Sequence, residues 1–218
     1  HRLLQRLQKQ GASVFDRTRV VEIETTSRGV ALRTESGFTV RAAHLVIAAG
    51  YASQHWLKKS VARNRSSYAV ISDPLSEEAL GFLSDTLLWE TARPYLYARS
   101  TSDRRLLIGG EDDAVDIPAK RDARVEKKAR TLLKRLHDLF PALEITPAFS
   151  WAGTFAETED GLPFFGPHAQ WGPRVHFAMA YGGNGITYSM LGAGLLRARI
   201  ERRAHPLWPL FSFQRLER

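Results

Sequence analysis

The 218-residue sequence contains no cysteine. That excludes disulfides, thiolate metal sites, a cysteine nucleophile and any cysteinyl bond to a prosthetic group. No apolar run reaches the ~18 residues that a membrane-spanning helix needs, and no charged-then-apolar signal segment opens the chain. A cytoplasmic protein is expected on that account. The GxGxxG turn that grips a dinucleotide pyrophosphate is missing, as are internal repeats, low-complexity segments and any His/Asp/Glu pattern that suggests a metal. The chain opens on His1 rather than Met and runs straight into a helical pattern. It is therefore expected to be part of a longer protein.

What is present is ordinary globular composition, 44% apolar and 25% charged, enough to bury a core in one large or two interlocked domains. The formal charge is +8 and the sequence pI about 10. A strongly basic chain suits an anionic partner, but here the cations are scattered or alternate with acids, as in RDARVEKKARTLLKR. Such a run reads as a solvated helix face, so nucleic acid is not an expected partner.

Leu3, Leu4 and Leu7 mark one face of an opening helix that Gly11 stops. Short β-branched runs follow, ASVF, RVVEIET, GVALRTE and FTVRA, with Ser36-Gly37 as a hairpin turn. The continuously apolar HLVIAAG, residues 44–50, reads as a strand buried on both faces, and 51–60 as a short helix. A second strand set, SSYAVISDP, TLLWET, PYLYARST and RLLIGGED, alternates Tyr95 and Tyr97 with Leu96 and Ala98. That pattern predicts an antiparallel sheet with an aromatic face. Residues 121–140 carry apolar side chains at spacings of three and four, predicting one helix that Pro141 ends.

The stretch 151–196 holds the best functional signal. An acidic Asp-Gly-x-Pro turn at Asp160, Gly161 and Pro163 precedes the apolar strand VHFAMAY, and then GGNGITYSMLGAGLL opens a helix predicted over 186–203. Gly182, Gly183 and Gly185 allow backbone to approach a ligand closely, and Asn184 suits the helix cap. The unpaired N–H groups of the first turn, near Ile186 and Thr187, would then face an anionic or electron-rich group. The same residues also make a tight strand-to-helix turn with no ligand, and Asp before Gly is a common turn device.

Taken in order, GASVFDRTRVVEIE, HLVIAAGYAS, PYLYARSTSDRRLLIGGED, WAGTFAETEDGLPFFGP and AYGGNGITYSMLGAGLL resemble the FAD-dependent oxidoreductases of the D-amino-acid oxidase, glycine oxidase and sarcosine oxidase family. The resemblance covers nearly the whole chain but only the C-terminal half to two-thirds of the family's fold. It implies an α+β (α/β-derived) architecture: an antiparallel substrate-domain sheet with flanking helices, plus the remaining part of a Rossmann-like FAD-binding domain. The expected divisions are 1–60, partial FAD-binding domain; 61–150, substrate-binding domain; and 151–218, return to the FAD-binding domain. The missing N-terminal segment of the parent becomes a partner in its own right. Without it, this chain is expected to bind FAD poorly.

Carried over residue by residue, the resemblance puts Val20 beside the adenine and Ala48, Ala49 and Gly50 along the cofactor. It puts Gly182, Gly183, Asn184, Gly185, Ile186 and Thr187 at the pyrimidine edge of the flavin, and Asp160, Gly161 and Pro163 in a turn near it. The implied pocket is lined by Tyr95, Tyr97, Trp151 and Phe155, with Glu111 or Asp112 at its rim. The implied chemistry is oxidation of an amine or amino acid by hydride transfer to non-covalent flavin, giving an imine. Three departures bear on the substrate. Thr154-Phe155 stand where the family's amino-acid oxidases have a carboxylate-binding arginine, Gly153 or its neighbours where relatives attach flavin through cysteine, and Leu107 and Thr187 where relatives have lysines near the flavin. An acidic rim without an arginine clamp would favour a cationic amine. The alternative is a flavin-free, non-catalytic binding module of the same fold.

Overall fold

The computed structural model describes residues 1–217. Helix α1 (Arg2–Lys9) is followed by strands β1 (Val20–Thr25), β2 (Val30–Thr34), β3 (Thr39–Ala42) and β4 (Leu45–Ile47). Next come β5 (Arg63–Ser72), helix α2 (Glu77–Leu80), β6 (Leu87–Trp89), β7 (Leu96–Ser100) and β8 (Leu106–Asp113). Helices α3 (Pro118–Asp122) and α4 (Val125–Leu139) lead to β9 (Pro147–Glu157), β10 (Phe164–Pro167) and β11 (Val175–Met179). Helix α5 (Gly185–Ile200) and the short α6 (Trp208–Phe211) complete the chain. It is the mixed α/β architecture that the sequence implies. Among the described residues no helix is long and apolar enough to cross a membrane.

Two compact units interleave in sequence. One comprises residues 1–48, 165–178 and 192–218, the other residues 49–164 and 179–191. These boundaries differ from the expected ones because β9 pairs with β5 from Pro147 to Glu157, which holds residues 151–157 with the second unit.

In the first unit β1, β2 and β3 form an antiparallel meander, with Ile23 opposite Leu32 and Ala31 opposite Arg41. Its hairpin turns at Gly37, φ +86°, whose N–H donates to the Thr34 carbonyl at 2.9 Å. A second sheet has the order β10-β11-β4, with β11 parallel to β4. Every residue of β11 is buried, the apolar ones and His176 alike, as expected of a strand covered on both faces. Arg174 ties these pieces together by donating to the Ser27 and Ala43 carbonyls at 3.0 and 3.2 Å. The strand expected at residues 12–15 does not form. Among the described residues no strand pairs with it, and Val14 and Phe15 stay exposed.

The second unit is built on a five-stranded sheet of order β6-β7-β8-β5-β9, antiparallel throughout. Alternation sends Tyr68, Val70, Leu96, Ala98, Leu106 and Ile108 to one face, where they bury against Ala129, Leu132 and Leu136 of α4. Leu132 and Leu136 are within 1% of complete burial, so truncating either to Ala would cost about 2–5 kcal/mol. The single helix expected over 121–140 is instead α3 and α4. The ladder tightens at Arg124, whose N–H donates to Arg121 three residues back at 3.0 Å, and its guanidinium leaves the helix face to pair with Asp113 at 2.8 Å. Likewise the predicted helix at 51–60 is a 3-10 turn over Gly50–Trp56. Helix α5 stops short of residue 203 because Arg202 takes φ +57° and the Arg203 N–H closes back on the Ala198 carbonyl at 2.7 Å.

Candidate functional site

The sheet face opposite α4 is where the second unit opens a cavity of about 700 Å³. The pairing register sets Trp89 of β6 opposite Tyr97 of β7, and Tyr97 opposite Gly109 of β8. Gly109 has no side chain, and the Tyr97 ring occupies the space that a β-carbon there would need. Tyr95 joins this floor with its ring centroid 6.2 Å from that of Tyr97. Phe155 of β9 and Ser67 of β5 continue it. Burial raises the Tyr97 phenol above its ordinary pKa, partly offset by a hydrogen bond to Ser67.

A bulge selects which acid enters the cavity. Between the pairs Tyr68/Gly110 and Ser66/Asp113, β5 has only Ser67 whereas β8 has Glu111 and Asp112. Gly110 and Glu111 absorb the extra residue with φ of +135° and +55°. The bulge shifts the alternation of β8 by one position. Glu111 is thereby turned to the α4 side, where Arg135 reaches its carboxylate at 2.8 Å and Lys128 its backbone carbonyl at 2.7 Å. Asp113 lies on that side too, against Tyr68, Lys128 and Arg124. Of these three acids only Asp112 lines the cavity, and its Oδ1 is buried with no hydrogen-bond partner among the described residues. Its carboxylate stands beside the Tyr95 hydroxyl. Burial first, and then that charge and hydrogen bond, raise the Tyr95 phenol well above its usual pKa.

The opposite wall is backbone. Gly161, Gly182, Gly183 and Asn184 line it, and a β-carbon built at Gly161 or Gly182 would meet nothing within 4 Å. At Gly183 the nearest atom would be the Tyr95 hydroxyl, 3.9 Å away. This wall is pinned from behind by the Gly182 N–H, which donates to the Ala156 carbonyl at 2.9 Å. The Asn184 carbonyl accepts the Tyr188 N–H at 3.0 Å, so the first-turn N–H groups of α5 at Gly185, Ile186 and Thr187 have no carbonyl within the helix. The Ile186 side chain is 87% exposed and does not block that end. Asp160 has the turn role: it accepts from the Leu162 N–H at 3.1 Å and pairs with the Thr158 hydroxyl at 2.8 Å. Pro163 is buried behind the turn.

Of the pocket residues expected from the sequence, Tyr95, Tyr97, Asp112 and Phe155 line one cavity. Glu111 does not, for the reason given, and Trp151 sits on the same sheet face beyond its lining, 42% exposed and opposite Ala69. Ala49 and Gly50 belong to the same unit; the Ala49 N–H is bound by the buried Ser53 hydroxyl at 3.1 Å and Gly50 takes φ +56°. Val20 and Ala48 belong to the other unit. Sequence reasoning missed Arg93 and Arg65, which both reach this side of the sheet. Arg65 pairs with Glu157, whereas Arg93 lies 5.2 Å over the Tyr95 ring and has no carboxylate within salt-bridge distance among the described residues. The available signal was an arginine two residues before the aromatic alternation, in ARPYLY. Arg93 thus lines the cavity, while Thr154-Phe155 follow the WAG segment, as the sequence has it. Among the described residues no group of three or more His, Asp or Glu is placed to hold a metal ion.

An open cradle of glycine backbone facing an aromatic floor is a shape that admits one edge of a flat heteroaromatic ring. Residues 1–199 match the family of FAD dependent oxidoreductases. The chain is 33% identical to a glycine oxidase of Geobacillus kaustophilus (strain HTA426) over 208 residues, 93% of this chain and 52% of that protein. It is 29% identical to a glycine oxidase of Bacillus subtilis (strain 168) over 182 residues, 81% of this chain and 46% of that protein. The crystal structure of the Geobacillus kaustophilus glycine oxidase superposes with a TM-score of 0.74 at 27% identity, over 92% of this chain and 53% of that one. An L-proline dehydrogenase from P. horikoshii shares the fold, with a TM-score of 0.76 at 16% identity over 96% of this chain and 56% of that one. The chain thus spans about half the length of the curated relatives it matches. With the match running over most of its length, the chain belongs to the family of FAD dependent oxidoreductases.

Proposed function

We propose that this chain is the substrate-facing part of an enzyme that oxidises the C–N bond of an amine or amino acid, with FAD bound non-covalently. The observation that carries the reading is the single cavity in which Gly182, Gly183 and Asn184 face Tyr95, Tyr97 and Phe155. In this reading Gly161, Gly182 and Gly183 give a flavin ring room to approach backbone, and the first-turn N–H groups of α5 favour negative charge at its pyrimidine edge. A bound flavin supplies the acceptor for a hydride from the carbon next to nitrogen, leaving an imine that water hydrolyses. The chain's own residues do the rest. The aromatic floor excludes water and fixes the plane of the substrate, while polar groups on the Tyr95 side hold its amine end.

Half of the relatives' length lies outside this chain, so the test belongs on the full-length protein. Purified from cells it should be yellow, absorbing near ~450 nm. Anaerobic addition of amines and amino acids one at a time should bleach that band with the substrate and leave it unchanged with the others. The 218-residue chain alone should retain little flavin. A colourless full-length protein that takes up no added FAD would sink the proposal in favour of a flavin-free binding module.

A further inference from the structure

Behind the cavity, on the α4 side of the sheet, one guanidinium holds two of the strands that shape it. Arg135 of α4 reaches the Glu111 carboxylate on β8 with one nitrogen, at 2.8 Å, and the Glu90 carboxylate just past the end of β6 with another. Glu90 directly follows Trp89, and Glu111 directly precedes Asp112. Trp89 and Asp112 both line the cavity. Strand β7, which carries Tyr97 of the floor, runs between β6 and β8. The guanidinium therefore spans β7 from behind and ties its two neighbours together.

Stability alone does not call for this arrangement. The Arg135 and Glu111 side chains keep only 25% and 11% of their exposure, beside a core that includes Leu96, Leu132 and Leu136. Ion pairs taken that far out of water gain little over apolar residues of the same volume, whereas a planar guanidinium fixes the direction and spacing of both acceptors. The backbone points the same way. Glu111 takes φ +55°, unfavourable for a residue with a β-carbon, and is held there from two sides, by Arg135 at its carboxylate and by Lys128 at its backbone carbonyl, 2.7 Å away. The bulge in turn bears on Tyr95, whose carbonyl fills the space that a β-carbon at Gly110 would need. A shift of Glu111 thus carries to the Tyr95 and Asp112 side of the cavity, and a shift of Glu90 carries to Trp89.

We propose that Arg135 is a positioning residue for the substrate cavity: acting through Glu90 and Glu111, it sets the spacing of Trp89 and Asp112 across β7 and so the pose in which a substrate is held. This rests on the reading of the cavity as the substrate site, and it adds to that reading a residue on the far side of the sheet that touches no substrate. Arg135 acts on the rate of the bound complex more than on binding, because a misplaced wall still admits the ligand but presents its reacting bond badly.

The test uses full-length protein carrying flavin and grown with fluorinated tryptophan, the Trp89 and Trp151 resonances being assigned by Trp89→Phe and Trp151→Phe. Trp151 lies on β9, at the opposite edge of the same sheet, and serves as the internal reference. Arg135→Lys keeps a cation but loses the planar fork. Glu90→Ala, the milder change, frees β6 alone and leaves Arg135 on Glu111. Both should shift the Trp89 resonance and leave that of Trp151 in place. Anaerobic flavin reduction by propylamine or racemic alanine, whichever bleaches the wild type, should slow about tenfold or more at saturation, with the half-saturating concentration changed less than about threefold. A merely structural ion pair would lower the urea midpoint and leave both readings of the folded protein unchanged. Trp89 moving no more than Trp151 in both variants would overturn the assignment, and so would an unaltered saturated rate. A wild-type flavin that no amine or amino acid bleaches would count against the broader reading of the cavity instead. The fluorine shifts answer for Arg135 in either case, so the two failures are distinguishable.

Discussion

Tyr97 lies across the bare α-carbon of Gly109 on the neighbouring strand, so that a β-carbon at 109 would fall inside the tyrosine's terminal atoms. An aromatic ring covering a strand glycine fills the gap that the missing side chain leaves and makes a flat floor. Gly109→Ala should therefore push Tyr97 from its place and cost about 1–3 kcal/mol by urea denaturation. Tyr97→Leu, which removes the colliding ring end, should relieve most of that cost in the double variant. Additive costs in the double-mutant cycle would show that the ring does not rest on Gly109.

The Tyr95 phenol has its pKa raised by burial first and by the Asp112 carboxylate next, with Arg93 opposing. A negative neighbour disfavours phenolate, so Asp112→Asn should move the Tyr95 pKa back toward the ordinary value of about 10 while burial keeps it somewhat above. Arg93→Gln should move it the other way. Titration of protein labelled at the tyrosine ring carbon bearing the hydroxyl reads both directly. An unchanged midpoint in Asp112→Asn would mean that the carboxylate does not face Tyr95.

How much of this was legible in the sequence follows from which patterns are local. The alternation Tyr95, Leu96, Tyr97, Ala98 fixed an aromatic face, and the glycines before α5 fixed an open helix start, because both depend on residues adjacent in the chain. Which of three consecutive acids points inward was not legible. It depends on the two-against-one pairing of Glu111 and Asp112 with Ser67, set by a strand some forty residues away in the chain. Arg93 was missed for a related reason: it precedes β7, and its role comes from stacking on Tyr95 rather than from strand alternation. The strand expected at 12–15 failed because β-branched composition specifies a strand only where a partner strand is at hand.

Gly183 offers a cleaner probe of the cradle than Gly182, because its φ is not in the positive region and its β-carbon position is open except for the Tyr95 hydroxyl at 3.9 Å. Gly183→Val should leave folding within about 1 kcal/mol of wild type. The added methyls would nevertheless project into the cavity. Full-length protein with this change should purify with less flavin per chain than wild type, read as the ratio of visible to ultraviolet absorbance. Undiminished flavin content with wild-type stability would remove Gly183 from the cradle.

In the first unit His176 is 1% exposed, and its ring lies 3.1 Å from the His44 ring, Nε2 to Nδ1. Its own Nδ1 has no partner among the described residues. Burial, then the neighbouring His44, then Arg199, push its pKa down to about 4. An unfolded histidine titrates near 6.5, so below that pH the unfolded chain takes up a proton that the folded one refuses until about pH 4. Stability contributed by the neutral ring is therefore complete above pH 6.5 and is lost as pH falls toward 4, by at most ~3 kcal/mol. His176→Gln removes this titration. Between pH 7 and pH 5 the urea midpoint of the wild type should fall further than that of the variant. Equal falls in the two proteins would mean that His176 carries no pH-dependent share of stability and that other groups set the slope.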